Sequence, residues 1–401
     1  SNGHGEDLIA LRVLEELHKI YPSLFFEVLP LVGEGKMFED AIKKNWVVKL
    51  GPSQYLPSGG FSNQSLLGLL SDLLSGLISL TYKQWAYIRR AGKNGRTIIA
   101  IGDLLPLFFA WSSGGSFGFI GTPKSDYTWI SGPGFSLSDA YHRLKGTEWD
   151  PWELALMQSS RCKMVAVRDK LTARGLRRKG VNAIAPGNPM MDGLSKAHCP
   201  ETLHGFRRLI LLCGSRMPEA ENNFRRLIKS LDLLEIKQQL AILVATGAEP
   251  SLELLEGILK DNGYQNSLFS TKELGAKSCW SKGSRLVFLG SGCFSNWAIW
   301  GEVGLANAGT ATEQLVGLGI PCVSLPGNGP QFNYGFASRQ SRLLGGSVVL
   351  CKSPQILAQM VELLLRDEQF RKKLSSFGQK RMGIKGGSFA LACLISRLFD
   401  T

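Results

Sequence analysis

The sequence predicts an α/β protein of two Rossmann-like domains, with a ligand in the cleft between them at the carboxyl ends of the strands. Three observations predict it. The chain has 401 residues, too long for one ordinary core. Short apolar runs alternate with longer helical patterns, the mark of βαβ units and parallel sheets. That alternation lapses once, over residues 193–206 (GLSKAHCPETLHGF), and then resumes. The expected organisation is a first domain over 1–192, a linker over 193–206, a second domain over 207–380 and a C-terminal helix over 381–401 packing back on the first domain.

The chain opens SNGHGEDLIALRVLEEL, a glycine-bracketed turn into an amphipathic helix expected to begin near Asp7. Turns of this kind follow a buried strand, so residue 1 reads as a truncated start whose first strand is missing. LFFEVLPLV, WVVKL, RTIIAIGDLL, SFGFIG, CKMVAVRD and NAIAPGNP are the strands expected next. Between them, residues 66–80 (LLGLLSDLLSGLISL) carry small and polar residues on one helical face and a wide leucine stripe elsewhere. They are too short to span a bilayer. Two readings stand: a core helix on a sheet, or a helix in a membrane interface, with contact running from Leu66 through Lys83, Arg89, Arg90 and Lys93 to Arg96. The second half repeats the α/β pattern with RRLILLCGSR, a helix over 219–234, LAILVATG, a helix from Ser251, RLVFLGSG, VGLANAG, IPCVSLPG and GSVVLC. From Ser353 onward the chain reads as helical and rich in Lys and Arg.

Composition narrows the function. A net charge of +13 favours anionic partners such as nucleotide phosphates or an acidic membrane, against the plainer reading of a soluble basic surface. No basic stripe with interleaved stacking aromatics supports nucleic acid. Eight cysteines are scattered without CxxC spacing, and five histidines leave little material for a zinc site. Reduced thiols of this kind suit a cytoplasmic protein.

The most informative stretch is ANAGTATEQLVGLGIPCVSLP. A strand ending at Asn307, a turn at Gly309 and a helix opening on Thr310, Ala311 and Thr312 present free N–H groups and hydroxyls, an anion site. A helix N-terminus contributes about 0.3 to 1 kcal/mol to an exposed charge, so other groups must help to hold a diphosphate. Glu313 reads either as a capping carboxylate or as an acceptor for ribose hydroxyls.

Together, AGTATEQLVGLGIPCVSLP, CGSRMPEAENNF, APGNPMMDGL and GHGEDLIALRVLEEL resemble the GT-B glycosyltransferases, nearest to lipid-A-disaccharide synthase and more distantly to the peptidoglycan N-acetylglucosaminyl transferase and UDP-N-acetylglucosamine 2-epimerase. The resemblance runs over nearly the whole chain. It implies an inverting, metal-independent hexosyltransferase at the inner face of the cytoplasmic membrane, moving a sugar from a UDP-sugar to a lipid-linked or glycan acceptor, with no cofactor besides the donor. It places Gly214, Ser215 and Arg216 near base and diphosphate, Gly309, Thr310 and Thr312 near the phosphates, Glu313 at the ribose, and Gln331 and Asn333 at the donor sugar. Gly187 and Asn188 match the interdomain crossing. For the base on the acceptor hydroxyl two candidates compete: Asp103, where the family places an acidic residue, and the opening-loop pair His4 and Glu6, His4 having an intrinsic pKa suited to the task. Asp103 is favoured, with His4 or Glu6 then holding the acceptor. The acceptor-side segment departs from the family, reading GTPKSDYTWISGPG and keeping Trp129, so the donor class transfers better than the acceptor. A 2-epimerase-like enzyme and a non-catalytic nucleotide-sugar binder are the alternatives.

Overall fold

A computed structural model describes residues 1–51, 77–131, 137–194, 197–236, 238–327, 329 and 332–398. The chain divides into two compact units, Ser1–Asp192 with Ile384–Thr401, and Gly193–Gly383. The segment 193–206 belongs to the second unit, where a 3-10 turn at Glu201–Leu203 buries Leu203 completely.

In the first unit, helix α1 (His4–Ile20) precedes strands β1 (Phe26–Val28) and β2 (Val47–Lys49), which form a parallel pair. The helix begins at His4, earlier than Asp7, because Gly3 turns the chain at φ 130°. The Asp7 N–H accordingly closes on the Gly3 carbonyl at 2.7 Å. Of LFFEVLPLV only Phe26–Val28 is strand. The leucine-rich stretch from Leu66 lies outside the described residues up to 76, and α2 (Leu77–Lys93) carries the basic run that follows it. There Arg89 lies 5.0 Å over the Trp85 ring. Beyond the helix, Arg96 pairs with Glu27.

A four-stranded parallel sheet follows in the order β3 (Ile98–Gly102), β4 (Phe117–Gly121), β5 (Cys162–Val167), β6 (Ala183–Ile184). Helices α3 (Leu104–Ser112), α4 (Leu137–Lys145), α5 (Pro151–Met157) and α6 (Lys170–Arg178) connect the strands. Every residue of β4 is buried, the pattern of a parallel strand covered on both faces. Phe117, Phe119, Val165, Leu107, Leu176 and Trp149 form this unit's core.

The second unit holds an eight-stranded sheet in the order β14-β13-β12-β7-β8-β11-β10-β9. Its strands are β7 (Arg207–Leu212), β8 (Leu240–Thr246), β9 (Gln265–Asn266), β10 (Ser278–Lys282), β11 (Arg285–Ser291), β12 (Val303–Ala306), β13 (Cys322–Ser324) and β14 (Val348–Leu350). From β14 to β11 the pairings are parallel; β10 and β9 add an antiparallel edge. Strand β10 is absent from the sequence reading, since Ser278, Trp280 and Lys282 give it no apolar run. Helices α7 (Glu219–Leu231), α8 (Leu252–Asp261) and α11 (Pro354–Arg366) cover one face, joined in one core with Leu209, Leu211, Ile242, Val244 and Leu289. Helices α9 (Thr310–Gly317), α10 (Tyr334–Leu343) and α12 (Glu368–Met382) complete the unit. Helix α7 stops at Leu231, short of the expected Leu234, and Ser251 caps α8 by accepting from Leu254 N–H.

The chain then returns to the first unit as α13 (Gly387–Ser396), packed against α1. Its first turn is held by Asp192, which accepts from Gly386 N–H at 2.6 Å and Ser388 N–H at 2.7 Å. A Cβ on Gly387 would stand 2.6–2.7 Å from Asn188 and Pro189 backbone atoms, so only glycine permits this approach. Gly387→Ala is therefore expected to destabilise the first unit by about 1–3 kcal/mol, as overpacking does. Hydrogen exchange should accelerate at α1 and α13 amides while β8 amides keep their protection; unchanged exchange at α13 would contradict the assignment.

Candidate functional site

In the second unit the chain runs from β7 to β8 on one side and later returns to β12 on the other, so strand order reverses between β7 and β12. Open parallel sheets bind ligands at such a switch point, outside the carboxyl ends of the strands. The turn Gly214-Ser215-Arg216 leaves β7 here, and Gly309 leads into α9 after β12. The two turns nearly touch: Gly214, at φ 96°, would place a Cβ 3.2 Å from the Asn307 carbonyl oxygen.

Asn307 organises the crevice. It is 1% exposed, and its Nδ2 donates to Asn223 Oδ1 at 3.2 Å and to the Leu325 carbonyl at 2.8 Å. Its Oδ1 accepts from Ser324 Oγ and Leu325 N–H, each at 3.1 Å. Asn223, buried on α7, donates in turn to the Cys213 carbonyl at 3.1 Å. One buried amide pair thus ties together the exits of β7, β12 and β13. Glu219, in the first turn of α7, accepts from the Phe332 N–H at 2.8 Å and so anchors the segment after β13 to the same place. Burial pulls the half-buried Arg216 below the ordinary guanidinium pKa, and the nearby Glu219 charge opposes that.

Thr310, Ala311 and Glu313 are half-buried at the opening of α9, whereas Thr312 is fully buried. The expected outward hydroxyl at Thr312 is not found: its Oγ1 donates back to the Ala308 carbonyl at 2.7 Å, fixing the turn from inside. Asn333 caps α10, its side chain accepting from Phe336 N–H at 2.9 Å. Gln331 lies outside the described residues.

In the first unit the strand ends gather a second set of groups. Glu6, in the first turn of α1, accepts from Thr122 Oγ1 at 3.2 Å, just beyond β4. Gly102, at φ 135°, ends β3 so close to Glu6 that a Cβ there would lie 3.5 Å from the Glu6 carboxyl carbon. Burial first, and the Asp103 charge second, push the Glu6 carboxyl up to about 7. Asp103 is the N-cap of α3, accepting from Leu105 N–H at 3.2 Å and from Asn2 Nδ2 at 2.9 Å. His4 contributes the first residue of α1. Gly187 and Asn188 sit against α13: a Gly187 Cβ would be 2.9 Å from Gly387 Cα, and Asn188 Oδ1 accepts from Met190 N–H at 3.1 Å. Trp129 donates its indole N–H to Asp126, whose carboxyl burial raises to about 6. Among the described residues no group of three or more His, Cys, Asp or Glu gathers to hold a metal ion. No described helix is long and apolar enough to cross a membrane.

Asn223, Glu219 and Thr122 escaped the sequence reading. Glu219 in the first turn of α7, Asn223 in its second and Thr122 just past β4 carry no signal beyond being polar, and solvated positions share it.

No protein-family model matches the chain, and no curated protein matches its sequence. Solved structures do. The UDP-GlcNAc 2-epimerase from Neisseria meningitidis, bound to UDP-GlcNAc, is 14% identical with a TM-score of 0.57, covering 100% of this chain and 98% of that one. Spinosyn forosaminyltransferase is 12% identical at a TM-score of 0.56, covering 99% and 96%. A UDP-glucosyltransferase from Polygonum tinctorium is 14% identical at 0.53, covering 98% and 96%. The chain has the GT-B-type fold of parallel-sheet α/β units that these enzymes share.

Two outcomes follow from this geometry. Asn307→Ala strands the buried Asn223, Ser324 and Leu325 groups, each worth about 1–3 kcal/mol when left unpaired, and should lower the urea midpoint of the second unit measurably. For Glu6, the folded protein binds the proton more tightly than the unfolded chain between 4.5 and about 7. Stability therefore falls as pH rises through that window. Glu6→Gln, which cannot ionise, should be more stable than the parent by up to about 3 kcal/mol above pH 7 and equal to it near pH 4, as read by thermal unfolding across pH.

Proposed function

We propose that the chain is a UDP-sugar-dependent, inverting glycosyltransferase whose second unit binds the nucleotide diphosphate at the β7/β12 switch point. The observation that carries this reading is the junction of the Gly214 turn with the N-terminus of α9, locked by Asn307. In it, the N–H groups of α9 and the Arg216 guanidinium take up the charge of the leaving diphosphate. Glu313 receives the ribose hydroxyls, and Asn333 with Gln331 the sugar. Likeness of fold to a UDP-GlcNAc 2-epimerase and a UDP-glucosyltransferase supports the nucleotide class.

The acid–base role goes to Glu6 in this reading, with Asp103 as the charge that tunes it. A general base works best with a pKa near the operating pH, and Glu6 reaches about 7. Asp103 is already committed to the α3 cap and to Asn2. His4 and Thr122 then serve to hold the acceptor. We assign the acceptor to the lipid-linked class, as for lipid-A-disaccharide synthase: immediately after Asp103, α3 exposes Leu104, Leu105 and Phe108, and the basic α2 precedes it. Interfacial contact at the cytoplasmic membrane through α2 and the preceding leucine-rich residues belongs to the same proposal. A second reading, 2-epimerisation of the nucleotide sugar, draws support from the fold likeness to the Neisseria enzyme.

Thermal unfolding with UDP, GDP, ADP and UDP-GlcNAc tests binding. A ligand at a hundred times its Kd stabilises by about 2.7 kcal/mol. Uridine diphosphates should stabilise selectively, and Arg216→Ala or Glu313→Ala should abolish the shift; stabilisation by no nucleotide overturns the reading. Glu6→Gln should keep the UDP shift and lose about 100-fold or more in transfer to a lipid-extract acceptor. Release of UDP that requires acceptor identifies the transferase, whereas conversion of UDP-GlcNAc to its C2 epimer without acceptor identifies the epimerase.

A further inference from the structure

Gln340, on α10, is given no role by the sequence and is 4% exposed. Its Nε2 donates to two consecutive carbonyls, Ala308 and Gly309, at 3.1 Å each. Because both partners are acceptors, the amide must present its NH2 to them. Its Oε1 is buried and has no hydrogen-bond partner among the described residues. A buried, unpaired amide oxygen costs about 1–3 kcal/mol, which an apolar residue would avoid, so the NH2 is the part of the side chain that matters.

The peptide unit is planar and trans, so fixing a carbonyl fixes the following N–H in the opposite direction. Holding the Ala308 carbonyl toward α10 turns the Gly309 N–H away from it; holding the Gly309 carbonyl does the same for Thr310. Neither N–H makes a hydrogen bond among the described residues. Thr312 Oγ1 grips the Ala308 carbonyl from the helix side, and the Thr312 and Glu313 N–H groups close on the Gly309 carbonyl at 3.1 and 3.3 Å. Successive outward N–H groups at a helix start form an anion-binding concavity.

We infer that Gln340 is a positioning residue for the diphosphate: it does not touch the ligand but aims the Gly309 and Thr310 amides at it. The inference rests on the nucleotide-binding reading of this site. It also predicts a division of labour within the ligand, since Gln340 supports the phosphates and leaves the nucleoside alone.

The test compares UDP with uridine by calorimetry on the full chain. The parent must first bind UDP; if it binds neither compound, the nucleotide reading itself fails. Given parent binding, Gln340→Met, which keeps length and loses the NH2, should weaken UDP about tenfold and leave uridine within twofold, the scale of a partly buried helix-terminus interaction. Thr312→Val, which removes only the helix-side grip, should show the same selective loss in smaller measure and keeps the test available should Gln340→Met not fold. Gln340→Glu should recover UDP affinity as pH falls and the carboxyl gains a proton to donate, a response that general loosening of the unit would not give. Equal weakening of UDP and uridine, or unchanged UDP affinity in a folded Gln340→Met, overturns the inference.

Discussion

The second unit's site depends on one buried side-chain amide. Parallel strands end together at one edge of their sheet, and the peptide groups leaving them are too deep for water and too scattered for a ladder. Asn307 can satisfy them because an amide is donor and acceptor at once. It serves Leu325 in both directions and reaches Cys213 through Asn223. A hydroxyl has one proton and a carboxylate none, so neither could replace it there. Glycine at 214 is the steric counterpart, because any Cβ would close on the Asn307 carbonyl.

The first unit makes a different compromise. A carboxylate in the first turn of a helix is favoured by the helix dipole. At Glu6 that advantage is outweighed by burial and by Asp103, so the proton is held to about pH 7. The group is thus a burden on the folded state and a ready proton acceptor, a combination in which functional sites are found. Asp126 is shifted the same way but is enclosed by Glu148 N–H, Thr147, and Trp129. Its partners face inward, which argues for a structural role in shaping the turn that holds Trp129.

Most of the sheet strands were legible because each buried parallel strand is a short continuous apolar run, as in LILL of β7 and LAILVAT of β8. Where that signal fails, so does the reading. Strand β10 reads SCWSK, polar residues around Cys279 and Trp280, and lies next to the sheet edge, so it lacks the continuous apolar run of the central strands. The helix start at His4 was missed because it is set by the Gly3 dihedral, which sequence does not specify. Within the candidate site, the Gly214 turn and the α9 N-terminus were readable as glycines and small hydroxyls beside a helix pattern. Thr312 was misread as facing outward because periodicity cannot tell which side of a first turn meets another element.

By itself, the sequence determined the alternation of strand and helix, the parallel sheets it implies, and the glycine-bracketed turns at the strand exits. These are local properties, written in period, size and backbone freedom. Only the tertiary structure decided that Asn223 and Gln340, 84 and 32–31 residues from their partners, secure the Asn307–Gly309 turn, and that Asp103 raises the carboxyl of Glu6. Hydrogen-bond satisfaction and desolvation depend on which distant groups share a buried space, and no pattern along the chain records that.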